Sequence, residues 1–382
     1  METGGTNLKD QTNLQENYQC IGCGAEIQSE DPNKMGYLLA SILEKKKIEG
    51  DFYCQRCFRL RHYNELQDVQ ISDDIFLDRL SSISEDDAFV VNVIDIFDVE
   101  GSMLSGLNRF IGKQPFVLVA NKVDLLPKSV KQNRIVHWLK QRFFENSLKP
   151  DEVFLLSANN PASLQALIDR IDREVRQRNV YIVGVTNVGK STLINQLLRH
   201  YGGDKEIITT SDHPGTTLDT IRIPLTETTG IIDTPGIIKE NQLAHYLDRQ
   251  GMKKLLPNKA IKPRTFQLNA GQTLFLAGAG RVDFIAGERA AFTFYVSNET
   301  YIHRTKTDKA DDFYLKHKGQ LLSPPYLNQA VNFPELQGRD YQLKPNQDLA
   351  IAGLGWLTVN EPVQVRLWAP KAVQVTQRES MI

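Results

Sequence analysis

The sequence predicts an α/β domain with a mostly parallel sheet, set between a small cysteine-held module and a mostly β carboxy-terminal region. Three observations predict it. From Asp87 onward apolar, β-branched runs alternate with helical stretches, the rhythm of a parallel sheet with crossover helices. All four cysteines lie within the first 57 residues, as two pairs of identical spacing. In the last third, short apolar runs are separated by Gly, Pro and Asn turns, which reads as β structure without crossover helices.

A chain of 382 residues is too long for one ordinary core, and three domains are expected, at 1–66, 67–258 and 259–382. Hydrophobic residues at 41% and charged residues at 24% are those of a globular protein. No run of about 18 apolar residues is present, which excludes a membrane-spanning helix and any expected membrane partner. The first eighteen residues are polar and include Glu2, Lys9, Asp10 and Glu16, so they resemble neither a secretory signal nor an import peptide. A cytoplasmic location is expected. The formal net charge of −1 gives no overall attraction to nucleic acid, and any such contact must come from local basic patches.

Cys20-x-x-Cys23 and Cys54-x-x-Cys57 have the spacing of a closed tetrahedral zinc site, in which four thiolates leave no position open for catalysis. Gly22 and Gly24 suit the first pair to a tight knuckle, and the second pair opens a helical stretch from Cys54 to Tyr63, so the module looks like a treble clef. At the least, zinc holds together a segment too small for its own core. Arg56, Arg59, Arg61 and His62, interleaved with Phe58 and Tyr63, could bind RNA phosphates and stack on bases. The alternative is a solvated helix face.

Strands are expected at 88–94, 116–120, 153–156, 179–184, 219–224 and 229–233, with motifs at their carboxyl ends, where open α/β sheets bind ligands. Gly184-Val185-Thr186-Asn187-Val188-Gly189-Lys190-Ser191, between a strand and a helix starting near Thr192, is a complete phosphate-binding P-loop. Its amides surround phosphates, Lys190 neutralises β and γ oxygens, and Ser191 binds magnesium. Asn121-Lys122-Val123-Asp124 adds guanine specificity, because Asp124 accepts from guanine N1-H and N2-H2 but would face a lone pair in adenine. Ser157-Ala158 resembles the loop whose Ala158 amide contacts guanine O6. Asp233-Thr234-Pro235-Gly236 supplies an acid that holds magnesium through water and a glycine amide facing the γ-phosphate. Pro214-Gly215-Thr216-Thr217 offers a switch threonine, by position Thr217, as a further magnesium ligand.

The bound species expected are thus GTP or GDP, magnesium and zinc. Lys190, Thr217, Asp233 and Gly236 are the expected catalytic set, and Ile237 stands where Ras-like enzymes carry a water-orienting glutamine, so intrinsic hydrolysis should be slow. Asn187 resembles the asparagine that helps hold potassium in cation-dependent GTPases; the alternative is an ordinary loop residue. The guanine motif precedes the P-loop, the reverse of the usual order. The fold expected is therefore a circularly permuted Ras-like G domain, with a short helix over 242–256 leading from the Gly236 switch into the carboxy-terminal region.

These permuted motifs, behind Cys20-x-x-Cys23-Gly24 and the Cys54 to Glu65 stretch, make the chain resemble the YqeH-type ribosome-assembly GTPases, as does Asp95-Ile96-Phe97-Asp98-Val99-Glu100-Gly101-Ser102. The resemblance runs essentially end to end and includes Asn121, Asp124, Gly184, Asn187, Lys190, Ser191, Thr217 and Asp233. It implies a cytoplasmic bacterial protein acting in small-subunit biogenesis and contacting ribosomal RNA. A monomer is expected. Residues 259–382 carry 15 Lys and Arg against 11 Asp and Glu, a net +4 that suits RNA contact and equally a neutral scaffold. A different reading also stays open: an RNA-binding assembly scaffold in which nucleotide is structural and not turned over.

Overall fold

The computed structural model describes residues 18–21, 25–46, 52–63, 70–71, 81, 83–104, 106–201, 221–234, 236–237, 239–330 and 332–382. Cys23 and Thr217 lie outside them, as does the whole expected switch loop at 209–217.

The middle of the chain forms a six-stranded sheet. A two-residue strand β1 (Gln70–Ile71) precedes it, followed by β2 (Ala88–Asp95), β3 (Phe116–Asn121), β4 (Val153–Leu155), β5 (Asn179–Val183), β6 (Ile221–Pro224) and β7 (Gly230–Asp233). The order across the sheet is β4-β3-β2-β5-β7-β6, parallel except for the β6–β7 hairpin. Every residue of β2 and β3 is buried, which explains their nearly unbroken apolar sequence: both faces of a parallel sheet are covered. The Gln132–Glu145 helix buries Ile135, Trp138, Leu139 and Phe143, and the Gln165–Glu174 helix buries Leu167, Ile168 and Ile171, one apolar stripe each. The expected strands agree with these to within one residue at either end, except at 219–224, where the described strand covers Ile221–Pro224.

The stretch 242–256 is not one helix. It forms a 3-10 turn (Leu243–Tyr246) and a separate helix (Arg249–Leu255). Asp248 divides them: its backbone is extended, and its carboxylate accepts from the Gly251 amide at 2.7 Å, starting a new helix with its own cap. Leu243, Leu247 and Leu255 from this stretch pack into the carboxy-terminal core.

After the short β8 (Gly236–Ile237), that region carries the strands β9 (Arg264–Leu268), β10 (Gln272–Leu276), β11 (Gly280–Gly287), β12 (Ala290–Val296), β13 (Ile302–Lys306), β14 (Leu336–Leu343), β15 (Gln347–Ile351), β16 (Gly355–Val359), β17 (Val363–Pro370) and β18 (Val375–Glu379), with a helix (Ala310–His317) between β13 and β14. They make two antiparallel five-stranded sheets, β13-β10-β11-β17-β14 and β18-β15-β16-β12-β9. Leu274, Val282, Phe284 and Val365 from one sheet share a buried cluster with Phe292, Phe294 and Leu357 from the other, a sandwich core.

The sandwich is fastened to the six-stranded domain. Tyr295, Ala350, Trp356 and Met381 belong to the same buried cluster as β2 and β3. At this seam Glu100 accepts from Arg142 Nε at 2.9 Å and Nη2 at 3.0 Å, and from Arg378 Nη1 at 3.1 Å. Arg378 Nε lies 3.7 Å from Asp348, and its guanidinium is 4.8 Å from the Trp138 ring and 5.7 Å from the Trp356 ring. Burial opposes ionisation of Glu100, but the Arg142 and Arg378 guanidiniums outweigh it and hold the carboxyl below its usual range. Gln242 Nε2 donates to Asp98 Oδ2 at 3.0 Å beside them.

Candidate nucleotide site

Parallel strands β2, β3, β4, β5 and β7 deliver their carboxyl ends to one edge of the sheet, and the motif loops leave from that edge. Asn121, the last residue of β3, joins three of them. Its Nδ2 donates to Val188 O at 2.8 Å, and its Oδ1 accepts the amides of Lys122 and Ala158, each at 2.8 Å. One buried amide thereby satisfies groups on the guanine motif, the 157–158 loop and the P-loop. The Ala158 amide, expected to face guanine O6, is engaged by Asn121 here, so a purine oxygen would share that donor. Ser157 is buried, and its amide and carbonyl both bond to Ser163 Oγ, at 3.1 Å and 2.9 Å. Asp124 is exposed within a 3-10 turn (Val123–Leu125), where its carboxylate can meet a base from solution.

Lys122 has a left-handed φ of 64° that turns the chain back toward the P-loop. Its Nζ donates to Asp95 Oδ2 at 2.6 Å and to the Asn187 carbonyl. Asp95 Oδ1 accepts from Phe97 N at 2.9 Å, so the strand-end aspartate of the Asp95 to Ser102 motif orients the lysine.

In the P-loop, Gly189 has φ +85°, and a Cβ there would stand 2.4 Å from Asn121 Nδ2. Gly184 passes so close to β2 that a Cβ would lie 2.6 Å from Val93 O. Asn187 is exposed at φ 65°, a left-handed position that asparagine tolerates. Lys190 and Ser191 open the Lys190–Tyr201 helix as buried residues, whereas Thr192 is exposed. Lys190 Nζ donates to Asp233 Oδ1 and to Thr234 O. Thr234 Oγ1 donates to Ile182 O at 2.9 Å, anchoring the loop after β7 to the strand that feeds the P-loop. Gly236 is buried, with room for a Cβ only 3.2 Å from Thr186 N, and β8 pairs in parallel with β1. The hydroxyl of Ser191 and the carboxylate of Asp233 are the hard oxygen donors that suit magnesium.

The other oxygen of Asp233 is occupied by a residue from the cysteine module. Arg56 Nη2 donates to Asp233 Oδ2 at 2.9 Å, with side chains 4% and 1% exposed. The sequence placed Arg56 on an RNA-facing or solvated surface; burial against the nucleotide site corrects that. Phe58 does stand exposed on the same Gln55–Tyr63 helix, and Arg59 is half-buried. Nothing in the local sequence signals the Arg56 contact, because the partners are 177 positions apart.

In the module, the Sγ atoms of Cys20, Cys54 and Cys57 all lie within 4.8 Å of one another and are buried. The Cys54 amide donates to Cys20 Sγ at 3.1 Å, a bond that favours a thiolate there. Three soft donors at this spacing fit zinc.

Strand, glycine loop, lysine and strand-end carboxylate define a P-loop GTPase domain, which implies GTP or GDP with magnesium. Residues 179–260 match the family described as 50S ribosome-binding GTPase, and residues 289–381 match the family described as YqeH-like, C-terminal. The chain is 47% identical over 365 residues to the protein YqeH of Bacillus subtilis, covering 95% of this chain and 99% of that one. It belongs to the YqeH family. It is also 29% identical over 407 residues to NO-associated protein 1, chloroplastic/mitochondrial, of Arabidopsis thaliana, covering 94% and 72% of the two chains. Ribosome biogenesis GTPase A of Priestia megaterium is 28% identical over 156 residues, 39% of this chain and 52% of that one. Among the described residues no helix is long and apolar enough to cross a membrane.

Proposed function

We propose that this chain is a GTP-hydrolysing switch with a circularly permuted G domain, acting in assembly of the small ribosomal subunit in the cytoplasm, as a monomer that contacts ribosomal RNA. The observation that carries the nucleotide reading is Asn121. It ties the guanine motif, the 157–158 loop and the P-loop together although their chain order is inverted. The ribosomal role rests on the match of residues 179–260 to the family described as 50S ribosome-binding GTPase and on the likeness to Ribosome biogenesis GTPase A, and the small-subunit assignment rests on the resemblance to the YqeH-type GTPases.

In this reading Asp124 selects guanine, Ser157 and Ala158 border the base, and amides of Gly184, Asn187, Val188 and Gly189 surround the phosphates, with Thr192 at the helix start. Lys190 leaves Asp233 for the β and γ oxygens when nucleotide enters. Ser191, Asp233 and Thr217 would hold magnesium, which supplies charge neutralisation at the transferring phosphoryl group. Gly236 turns its amide toward the γ-phosphate, and Asn187 would help bind potassium in place of an arginine finger. Cys23 would complete the zinc set of Cys20, Cys54 and Cys57.

Multiple-turnover GTP hydrolysis, measured in potassium and in sodium buffer with and without ribosomal subunits, tests this. Slow turnover faster in potassium is expected, with Lys190→Ala lowering it by about two orders of magnitude or more. Nucleotide bound but never turned over in any of these mixtures overturns the enzyme reading in favour of an RNA-binding scaffold, which the Ile237 replacement would then explain.

A further inference from the structure

We propose that Arg56 competes with magnesium for Asp233, so that the cysteine module is docked on the nucleotide site in the magnesium-free state and released from it when magnesium and GTP bind. The proposal rests on the nucleotide reading above and names a regulation of that same site.

Four observations carry it. First, both oxygens of Asp233 are taken by cations, Lys190 on Oδ1 and Arg56 on Oδ2 at 2.9 Å. One buried carboxylate thus faces two positive charges. An arriving dication needs that carboxylate as the acceptor for its bound water, and a guanidinium already seated there repels it and blocks the acceptor. Phosphate draws Lys190 away by offering it better partners, but Arg56 has to be displaced by the metal itself.

Second, Arg56 has little else to hold it. Among the described residues its Nη1 reaches only the thioether of Met35 at 3.7 Å, and its Nε has no hydrogen-bond partner. The contact with Asp233 is its one charge-paired hydrogen bond among the described residues, and losing it leaves a buried guanidinium uncompensated, which favours its return to water.

Third, Arg56 sits between Cys54 and Cys57 on the Gln55–Tyr63 helix, whose start is fixed by the thiol cluster. A metal held by Cys54 and Cys57 would keep the start of this helix rigid, so a module that leaves Asp233 would carry the helix and its arginine with it as a unit. Fourth, β1, which follows the module in the chain, pairs with β8, directly after the Asp233 loop: Gln70 with Gly236 and Ile71 with Ile237. The module and the loop that senses the γ-phosphate are thereby linked a second time, by backbone. By reciprocity, whatever holds the module off the site favours magnesium binding, and magnesium favours the released module.

The full-length zinc-loaded protein tests this in two ways. Magnesium is titrated against a fluorescent GDP analogue bound to wild type, Arg56→Gln and Arg56→Lys. Arg56→Gln is expected to lower the half-saturating magnesium concentration about tenfold, within the range usual for coupled sites, while Arg56→Lys stays near wild type. Hydrogen exchange of the 55–63 amides is then followed in wild type, which needs no variant to fold: it is expected to rise when magnesium and a non-hydrolysable GTP analogue are added together, and not with magnesium alone. A magnesium requirement unchanged or raised in Arg56→Gln, or 55–63 exchange that does not change with the loaded analogue, overturns the Arg56 proposal alone. Wild-type protein that binds no guanine nucleotide at any magnesium concentration overturns the nucleotide reading and this proposal with it.

Discussion

Two buried ionic clusters in this molecule are built from the same kinds of group and balance differently. At the seam between the domains, Glu100 and Asp348 face Arg142 and Arg378, two acids against two bases. At the nucleotide site, among the described residues, Asp233 alone faces Lys190 and Arg56. A buried cluster with no net charge is complete, and its members can remain in place through the protein's working life. A buried cluster with one excess positive charge is complete only when an anion arrives, which is what a phosphate-binding site requires of its resting state. The difference separates a joint between domains from a site that awaits an anion.

That contrast can be broken most severely at the joint. Arg378→Met leaves Asp348 without its cation and Glu100 with one fewer, and unfolding in denaturant should show a loss of about 3–5 kcal/mol. A loss below about 1 kcal/mol would mean that the tryptophans flanking Arg378, not its charge, hold the seam.

Asp98 sharpens the comparison next. Burial, and secondarily the neighbouring Asp95 carboxylate, raise its pKa to about 6 from an ordinary 3.8. The folded-state value lies above the unfolded one, so the folded protein binds more protons across that interval and stability falls as pH rises through it. Two pKa units correspond to on the order of 3 kcal/mol, fully felt above pH 6 and absent below pH 4. Asp98→Asn should therefore gain stability relative to wild type between those pH values, as read from paired urea melts at pH 4, 5, 6 and 7. A constant difference across the series would remove Asp98 as the titrating group.

At the nucleotide site, global stability should hardly respond. Arg56→Gln leaves Asp233 with Lys190, so its unfolding free energy should stay within about 1 kcal/mol of wild type, against the much larger loss from Arg378→Met. The smallest effect belongs to the exposed pair Arg366 and Asp340, whose Nε to Oδ1 distance of 2.6 Å looks as good as any buried contact. Solvent screens it, and the melting temperature of Arg366→Ala should be indistinguishable from wild type. A clear drop would show that the β14–β17 edge depends on that pair.

The α/β middle was legible because buried parallel strands need unbroken apolar runs, and β2 and β3 have them in Ala88–Asp95 and Phe116–Asn121. The stretch 242–256 was misread because the apolar residues there have helical spacing, while Asp248 interrupts the helix with a cap that spacing does not reveal. Within the candidate site, the motifs mark Asn121, Lys190 and Asp233, but the sequence assigned Arg56 to an outer surface.

What the sequence alone determined is what neighbours in the chain decide: the glycines that allow the 184–191 turn, the apolar runs that make strands, the paired cysteine spacings, and the carboxylate at Asp124. The tertiary structure decided every partnership made across distance. Arg56 meets Asp233 over 177 positions, Arg378 meets Glu100 over 278, and Asn121 meets Val188 over 67. Local pattern limits the backbone of the residues that carry it. Which cation reaches a given buried acid depends instead on which surfaces pack together, and that is a property of the folded chain as a whole.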